Sequence, residues 1–470
     1  MKNPLALACM LSAALASSAD AEPAAPVRSY SPYAGRTHPT RVFWGDTHNH
    51  SANSGDAFMA GDRLSPEQAY RFARGEEVVS STGVPTKLAR PLDFLCISDH
   101  AEGLGVMYQV YEGNPAMMSD LTLRRWHEAM KAGGKQAGDA MNEVVSAQAQ
   151  GTLPKPVKDP ALVGPVMKTV WQAYTETAEK FNEPGRFTAM IAYEWTSVPG
   201  GNNLHRNILF RDDKDKADQI LPFSSWQSED PEKLKHVSKQ GLGKTRYTWH
   251  YTAAGYAAVW AADNTREALW DAMKRKEVYA TSGTRMTLRF FGGWGFGQGD
   301  ARVRDVADAG YAKGVPMGAD LPAAPRGAKA PSFLIAALKD PMGANLDRVQ
   351  VVKGCLDADG KTHESIYDVA WGDAERRKPG AGGKLPPVGD TVDVARATWT
   401  NTIGDPDLTV AWSDPDFDAK QPAFYYVRVI EIPTPRWTAY DALRFGVAMS
   451  DDVPMKHQER AWTSPIWYAP

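Results

Sequence analysis

Apolar, strand-like runs that end at potential metal ligands are the feature that most limits what this chain can fold into. Residues 91–98 are almost continuously apolar before Asp99 and His100, and residues 187–193 are apolar before Glu194. Runs of this kind are typical of parallel strands that are buried on both faces. In α/β barrels and open α/β sheets, polar side chains at the carboxyl ends of such strands form the site. The sequence therefore predicts an α/β fold with a site at one edge of its sheet.

A His-x-His pair follows a third apolar segment. Residues 43–50 read Phe-Trp-Gly-Asp-Thr-His-Asn-His, and Asp56 comes six residues later. Because side chains alternate along a strand, Asp46, His48 and His50 are expected on one face. Zinc accepts imidazole nitrogens and carboxylate oxygens, and catalytic zinc sites keep one position for water. Alone, an Asp-His dipeptide is usually a surface turn and a buried Glu usually pairs with an Arg. Together the motifs predict a hydrolytic metal site with the ligands His48, His50, Asp56, His100, Glu194 and His205.

These motifs resemble those of the PHP (polymerase and histidinol phosphatase) superfamily. The matching segments are Gly45-Asp46-Thr47-His48-Asn49-His50, Ser98-Asp99-His100, and Tyr193-Glu194-Trp195 followed by Asn203-Leu204-His205-Arg206. The residues around them, including 199–206 and 289–294, are closer to the bacterial PHP-like family known as domain-of-unknown-function family 3604. The resemblance runs from about residue 41 to the C-terminus. It implies a distorted barrel of strands and helices that binds up to three divalent metals and hydrolyses phosphate esters or related bonds.

One part of the superfamily pattern is missing. After the third motif, relatives have a central motif with a His and then a late Asp-x-His motif, but no Asp-x-His triplet follows His50 in this sequence. The chain passes directly from residues 228–236 to residues 241–250, which indicates that a central segment near 236–248 is lacking. His236 and His250 flank the gap and are candidate substitutes for the missing ligands.

The resemblance distributes the remaining ligands over three ions, each of which loses one protein ligand. Two histidines and a carboxylate with open positions suffice for one catalytic ion, whereas a pair of ligands should bind weakly. We therefore expect one divalent ion, zinc, manganese or iron, out of a possible three. The implied sets are His48, His50 and Glu194 for the first ion, Glu194 and His205 for the second, and Asp56 and His100 for the third.

The expected function is that of a metal-dependent hydrolase, phosphoesterase-like in its chemistry, which uses a metal-bound hydroxide on an anionic small-molecule substrate. Asp46 and Asp99 are candidates for orienting the ligating imidazoles. Arg206, beside His205, is a candidate for neutralising the substrate. Each of the three is explained equally well as part of an ordinary ion pair of the fold. The alternative function is that of a ligand-depleted, catalytically inactive PHP-like protein that acts as a binding protein.

The first residues predict export. Residues 1–21 have a basic start, an alanine-rich apolar stretch and the small-x-small end Ala19-Asp20-Ala21, which is typical of a signal peptide and predicts a secreted or periplasmic protein. No other run approaches the ~18 apolar residues of a spanning helix. The formal net charge of -3 gives no electrostatic footprint for nucleic acid.

The rest of the chain divides into three parts. Residues 22–40 are expected to form a linker and residues 41–297 a distorted PHP-like β/α barrel that binds the metal. Residues 298–470 are expected to form a β-rich C-terminal region, because Gly and Pro are dense between short apolar runs there. Helices are predicted from Ser65-Pro66, over residues 166–181 and from Thr265. Strands are predicted at 333–338, 348–352, 408–412 and 424–430.

Overall fold

The computed structural model describes residues 37–197, 204–225, 249, 255–380 and 383–470. The predicted signal peptide (1–21), residues 22–36 of the predicted linker and the segment near 236–248 lie outside the described residues. His236 and His250 lie outside them as well. In the part of the chain that the structure describes, no helix has the length and apolar character needed to cross a membrane.

Strands and helices alternate in the first half of the chain, and strands dominate the second half. The strands are β1 (Arg41–Asn49), β2 (Val78–Val79), β3 (Pro85–Thr86), β4 (Phe94–Ile97), β5 (Thr188–Ser197), β6 (Leu204–Leu209), β7 (Tyr256–Ala261), β8 (Val278–Thr281), β9 (Thr287–Gly293), β10 (Gly314–Pro316), β11 (Ser332–Leu338), β12 (Leu346–Leu356), β13 (Thr362–Trp371), β14 (Asp407–Ser413), β15 (Ala423–Glu431), β16 (Thr434–Pro435), β17 (Lys456–His457), β18 (Arg460–Thr463) and β19 (Ile466–Tyr468). The helices are α1 (Gly55–Met59), α2 (Pro66–Ala73), α3 (Val106–Tyr111), α4 (Pro115–Met118), α5 (Leu121–Ala132), α6 (Gly134–Ala149), α7 (Lys155–Lys158), α8 (Pro160–Phe181), α9 (Lys214–Ala217), α10 (Arg266–Lys274), α11 (Val306–Lys313) and α12 (Trp437–Phe445), with a 3-10 turn at Asp300–Arg302.

One large mixed sheet runs through both halves. Its strand order is β13-β12-β15-β18-β8-β7-β1-β4-β5-β6, and β19 pairs with β15. A second sheet has the order β10-β9-β11-β14. The mixed α/β class and the β-rich C-terminal region are thus confirmed. Among the described residues no strand pairing closes the large sheet on itself, so the distorted barrel is not confirmed.

The centre of the large sheet is parallel, as the apolar runs predict. β1 pairs with β4 and β4 with β5, both in parallel. Every residue of β4 and β5 is buried. The close approach of β1 to β4 requires glycine at position 45, because a Cβ there would lie 2.3 Å from the carbonyl oxygen of Phe94. The pairing then becomes irregular between Asp46 and Asn49, just where the His-x-His pair begins.

Helices cover this part of the sheet, and the sequence signals for them are confirmed. Ser65 and Gln68 form the two reciprocal hydrogen bonds of a capping box at the start of α2. α8 buries one face in the same core cluster as Ile97 and Ile191, and Trp171 and Tyr174 are its largest buried side chains. Burial of each such side chain stabilises the fold by roughly 1.5–3 kcal/mol. The Tyr174 hydroxyl donates to the carbonyl oxygen of Ile97, which ties the helix to the end of β4.

Candidate metal site

Five of the six predicted ligands lie in four neighbouring strands of the large sheet or just after them, and the sixth, Asp56, lies in α1. His48 lies in β1, His50 follows it, and His100 follows β4. Glu194 lies within β5, three residues before its end, so the prediction that this strand stops before Glu194 is wrong. The strand continues because it pairs with β6, which runs antiparallel and places His205 opposite Thr196.

Glu194 is the centre of the cluster. Its side chain is 0% exposed. Its Oε1 lies 3.1 Å from His48 Nε2 and 2.9 Å from His205 Nδ1. Its Oε2 lies 3.0 Å from His50 Nε2 and 3.3 Å from His100 Nδ1. Four imidazoles from distant parts of the sequence thus surround one carboxylate.

These short distances do not correspond to hydrogen bonds. Within the described residues, neither oxygen of Glu194 has a donor in hydrogen-bonding geometry, although both are buried. A buried carboxylate without donors is costly, since burial removes its hydration without replacing it. Imidazole nitrogens and carboxylate oxygens that converge on one point are what a cation site requires. The group formed by His48, His50, Glu194, His100 and His205 could therefore hold a metal ion.

The cluster contains three overlapping triads whose ligand atoms lie within 4.8 Å of one another. The first is the set that the resemblance assigns to the first ion. The other two contain the pairs assigned to the remaining ions, each with a third predicted ligand that the resemblance assigns to a different ion. The triads are His48, His50 and Glu194; His50, Asp56 and His100; and His100, Glu194 and His205.

Imidazole chemistry limits how many triads can be filled together. A neutral imidazole has one lone pair, because its other nitrogen carries a proton. His50 directs Nε2 to Glu194 and Nδ1 to Asp56, 3.1 Å away. His100 directs Nδ1 to Glu194 and Nε2 to Asp56, 3.6 Å away. If both rings bind an ion on the Glu194 side, Asp56 accepts their remaining N–H groups, the usual role of a carboxylate behind metal-binding histidines.

Without a cation, the cluster holds protons. Burial acts to lower the pKa of His50, but Asp56 and Glu194 outweigh it and raise that pKa to about 9. Burial opposes the rise at His100 too, where Asp56 and Glu102 raise the pKa to about 10. Burial would raise the pKa of Glu194, yet the neighbouring imidazoles hold it below its usual range. A metal ion must therefore displace protons when it binds.

Two aspartates, of which Asp99 is buried and Asp46 is partly exposed, hold the backbone next to these ligands. Asp46 accepts a hydrogen bond from the backbone N–H of His48 at 2.9 Å. Asp99 is 1% exposed and accepts from the backbone N–H of Ser51 at 2.5 Å and from its hydroxyl at 2.6 Å. Burial raises the pKa of Asp99 to about 6 against these hydrogen bonds. Both carboxylates thus contact backbone groups next to the histidines.

Two further polar residues at the site were not predicted. The Thr196 hydroxyl lies 2.9 Å from His100 Nδ1 and 3.0 Å from His205 Nδ1. Glu102 accepts hydrogen bonds from the backbone N–H groups of Thr196 and Ser225, at 3.2 and 2.8 Å. Alternation along β5 places Thr196 on the same face as Glu194, so the sequence did contain a signal for it. Glu102 carries no such signal, because it lies in the turn after His100.

Arg206 and Asn207 follow His205 on β6. Arg206 is exposed and lies opposite Trp195. Since side chains alternate along a strand, it lies on the other face of β6 from His205. Asn207 donates a hydrogen bond to the carbonyl oxygen of Thr47 at 2.8 Å, which ties β6 to the His-x-His segment.

A cavity of about 300 Å³ adjoins the cluster. Asp56, His100, Glu102, Thr196 and His205 form its polar wall. The remaining lining residues, which we call the apolar wall, come from α1, α3 and α6 and are mainly apolar. The residues on that wall are Gly55, Met59, Met107, Met141, Val144, Val145 and Gln148.

Comparison with known proteins gives one match. The sequence profile of a family described as Protein of unknown function (DUF3604) matches residues 37–247 and 235–470. The two matches overlap at residues 235–247. No curated protein matches the chain, and no solved structure does.

Proposed function

The chain belongs to the DUF3604 family, and from its site we propose that it is a metal-dependent hydrolase of phosphoesters or similar bonds. The observation that carries the proposal is Glu194, which is fully buried, has no hydrogen-bond donor among the described residues and is surrounded by four imidazoles within 3.3 Å. A cation satisfies this carboxylate, and the donor set suits zinc, manganese or iron. The likeness to the PHP superfamily and its distorted barrel is part of the same proposal.

One ion is expected to bind tightly, at His48, His50 and Glu194. Glu194 also belongs to the triad of His100 and His205, so occupation of the first triad weakens the second. A divalent ion held there acidifies bound water and polarises a phosphoryl or carbonyl oxygen.

The protein groups around the ion have separate tasks. Asp56 holds the N–H groups of His50 and His100 and so fixes which nitrogen of each ring faces Glu194. Asp46 and Asp99 hold the backbone of the His-x-His segment. The Thr196 hydroxyl borders the cavity beside the cluster and can donate to a substrate oxygen. Arg206 is not part of this proposal, because it lies on the other face of β6 from His205 and does not line the cavity.

Metal analysis combined with an esterase assay tests this proposal. The purified full chain is expected to retain about one equivalent of a divalent metal and to hydrolyse p-nitrophenyl phosphate or bis-p-nitrophenyl phosphate, with loss of activity after chelation. His48→Ala should lose both metal and activity. His363→Ala is the matched control, because His363 also pairs with a carboxylate, Asp357 at 2.7 Å, but lies outside the cluster.

The alternative proposal is a catalytically inactive binding protein. The absence of the late Asp-x-His motif favours it, because each implied ion lacks one ligand of the superfamily pattern. A chain without any tight metal equivalent would support this alternative and contradict the hydrolase. We also propose that residues 1–21 direct secretion and are removed. N-terminal sequencing of the exported protein should find its first residue at Glu22.

A further inference from the structure

The cavity beside the metal triads is lined by residues of two chemical kinds. Three predicted ligands, Asp56, His100 and His205, are among its polar lining residues. Most residues of the apolar wall carry thioether or branched aliphatic groups. A molecule that reaches the ligands from this cavity must therefore place an apolar portion against these groups. At about 300 Å³ the cavity is at the small end of ligand pockets, which suits a single ring or a short alkyl group.

Helix α6 supplies much of the apolar wall in a regular way. Met141, Val144, Val145 and Gln148 follow the spacing i, i+3, i+4 and i+7, so they share one face of the helix. Met141 and Val144 pack against the core cluster but are only partly buried, and Ala140 is the one buried residue of α6. Val145 is 36% exposed although it lines the cavity. Part of the apolar face of α6 is thus directed at the cavity.

Methionines complete this wall from two other helices. Met59 ends α1 and Met107 lies in α3, and both are buried beside the cavity. Methionine side chains are unbranched and polarizable, so they adapt to apolar ligands of differing shape. Among the described lining residues, those from α3 and α6 are all uncharged.

We propose that the substrate is an ester of an apolar alcohol, whose acidic head group binds at the triads and whose alcohol portion lies against Met59, Met107, Met141 and Val144. This inference rests on the proposed hydrolase function and adds the substrate class. Hydrolysis of such a phosphoester consumes one water. The bond from phosphorus to the alcohol oxygen breaks, the alcohol leaves with a proton, and the oxygen of the water stays on phosphorus.

Two phosphonates that cannot be hydrolysed at an ester bond test the inference without turnover. Phenylphosphonate and methylphosphonate share the head group and differ in the apolar portion. Calorimetric titration of the zinc-loaded full chain should show phenylphosphonate binding at least about tenfold more tightly, since the ring buries more apolar surface. Equal affinities, or no binding of either phosphonate, would overturn the inference.

Variants with a charged residue on α6 test whether the preference for phenylphosphonate arises at this helix. Val144→Asp should reduce the ratio of the two affinities to about one. Asn142→Asp is the matched control, because it adds the same charge to the same helix at an exposed position that does not line the cavity. Val145→Asp also places a charge in the cavity lining, and because Val145 is partly exposed this variant should still fold if Val144→Asp does not. Retention of the phenyl preference in both Val144→Asp and Val145→Asp would contradict the proposed location.

This test separates the two proposals. A chain that prefers phenylphosphonate but hydrolyses no ester contradicts the proposed function alone. A chain that hydrolyses phosphoesters but binds both phosphonates equally contradicts the apolar substrate class alone.

Discussion

Replacement of Glu194 by Gln removes the charge that four imidazoles share but keeps the shape of the side chain. Loss of a carboxylate behind a metal ligand commonly weakens binding 10- to 100-fold, so loss of the central carboxylate should weaken it by at least about 100-fold. At a free metal concentration 100 times the wild-type dissociation constant, bound metal stabilises the wild-type fold by about 2.7 kcal/mol. At the same concentration the variant would gain only about 0.4 kcal/mol.

Thermal or chemical unfolding of the chelated protein, repeated with Zn²⁺ or Mn²⁺, measures this difference. Glu431→Gln is a stringent control, because Glu431 is also 0% exposed and its two oxygens also lack a hydrogen-bond donor among the described residues. That variant should respond to metal as the wild type does. Equal metal-induced stabilisation in the wild type and in Glu194→Gln would refute the assignment of Glu194 as a ligand.

Three further predictions concern the fold, its pH dependence and the number of ions. Gly45→Ala should destabilise the protein by about 1–3 kcal/mol in urea unfolding, because its Cβ would collide with the carbonyl group of Phe94; an unchanged midpoint would show that the β1–β4 pairing can relax. Burial raises the pKa of Glu431 from 4.5 to about 8, so between these pH values the folded state binds a proton that the unfolded state has lost. The free energy of unfolding of the wild type should therefore fall by up to roughly 5 kcal/mol relative to that of Glu431→Gln as the pH rises through this window. Unfolding curves at pH 4.5 and pH 8.5 check this loss, and parallel behaviour of the two proteins would contradict it. Metal analysis should find one tight equivalent that His48→Ala abolishes and His205→Ala largely retains, whereas two tight equivalents would show that the triads fill independently.

Much of the cluster at the candidate site could be predicted from the sequence because strand geometry is local. An uninterrupted apolar run specifies a buried strand, and parallel neighbours place their carboxyl ends at the same edge of the sheet. His48, His50 and His100 were therefore expected together before any contact was known. The cap of α2 and the helix over residues 166–181 follow from equally local rules, and both are confirmed.

Long-range features of the fold were beyond this reasoning. The pairing of β5 with β6 extends β5 past Glu194, and no residue in the apolar run specifies that partner. The large sheet continues from β8 to β18 and so joins strands of the predicted metal-binding and C-terminal regions. Short strands in a Gly- and Pro-rich sequence indicate a β-rich region but not which sheet they enter. Glu102 was missed for the same reason, since its partners, Thr196 and Ser225, are distant in sequence.

The number of ions depends on a property that neither strand pattern nor family resemblance contains. The residues of the cluster form three sets of ligands. Fewer sets can bind ions at the same time, because each neutral imidazole has only one nitrogen with a lone pair for a metal. The structure shows which nitrogen of His50 and His100 faces which carboxylate, and both rings stand between Asp56 and Glu194. If the ring nitrogens that face Asp56 carry the protons, the lone pairs of both rings face Glu194 and can bind a cation there. If the nitrogens that face Glu194 carry the protons instead, the fully buried carboxylate meets N–H groups and not a cation. The orphaned oxygens of Glu194 favour the first arrangement, and this assigns Asp56 to orienting the histidines and Glu194 to the ion.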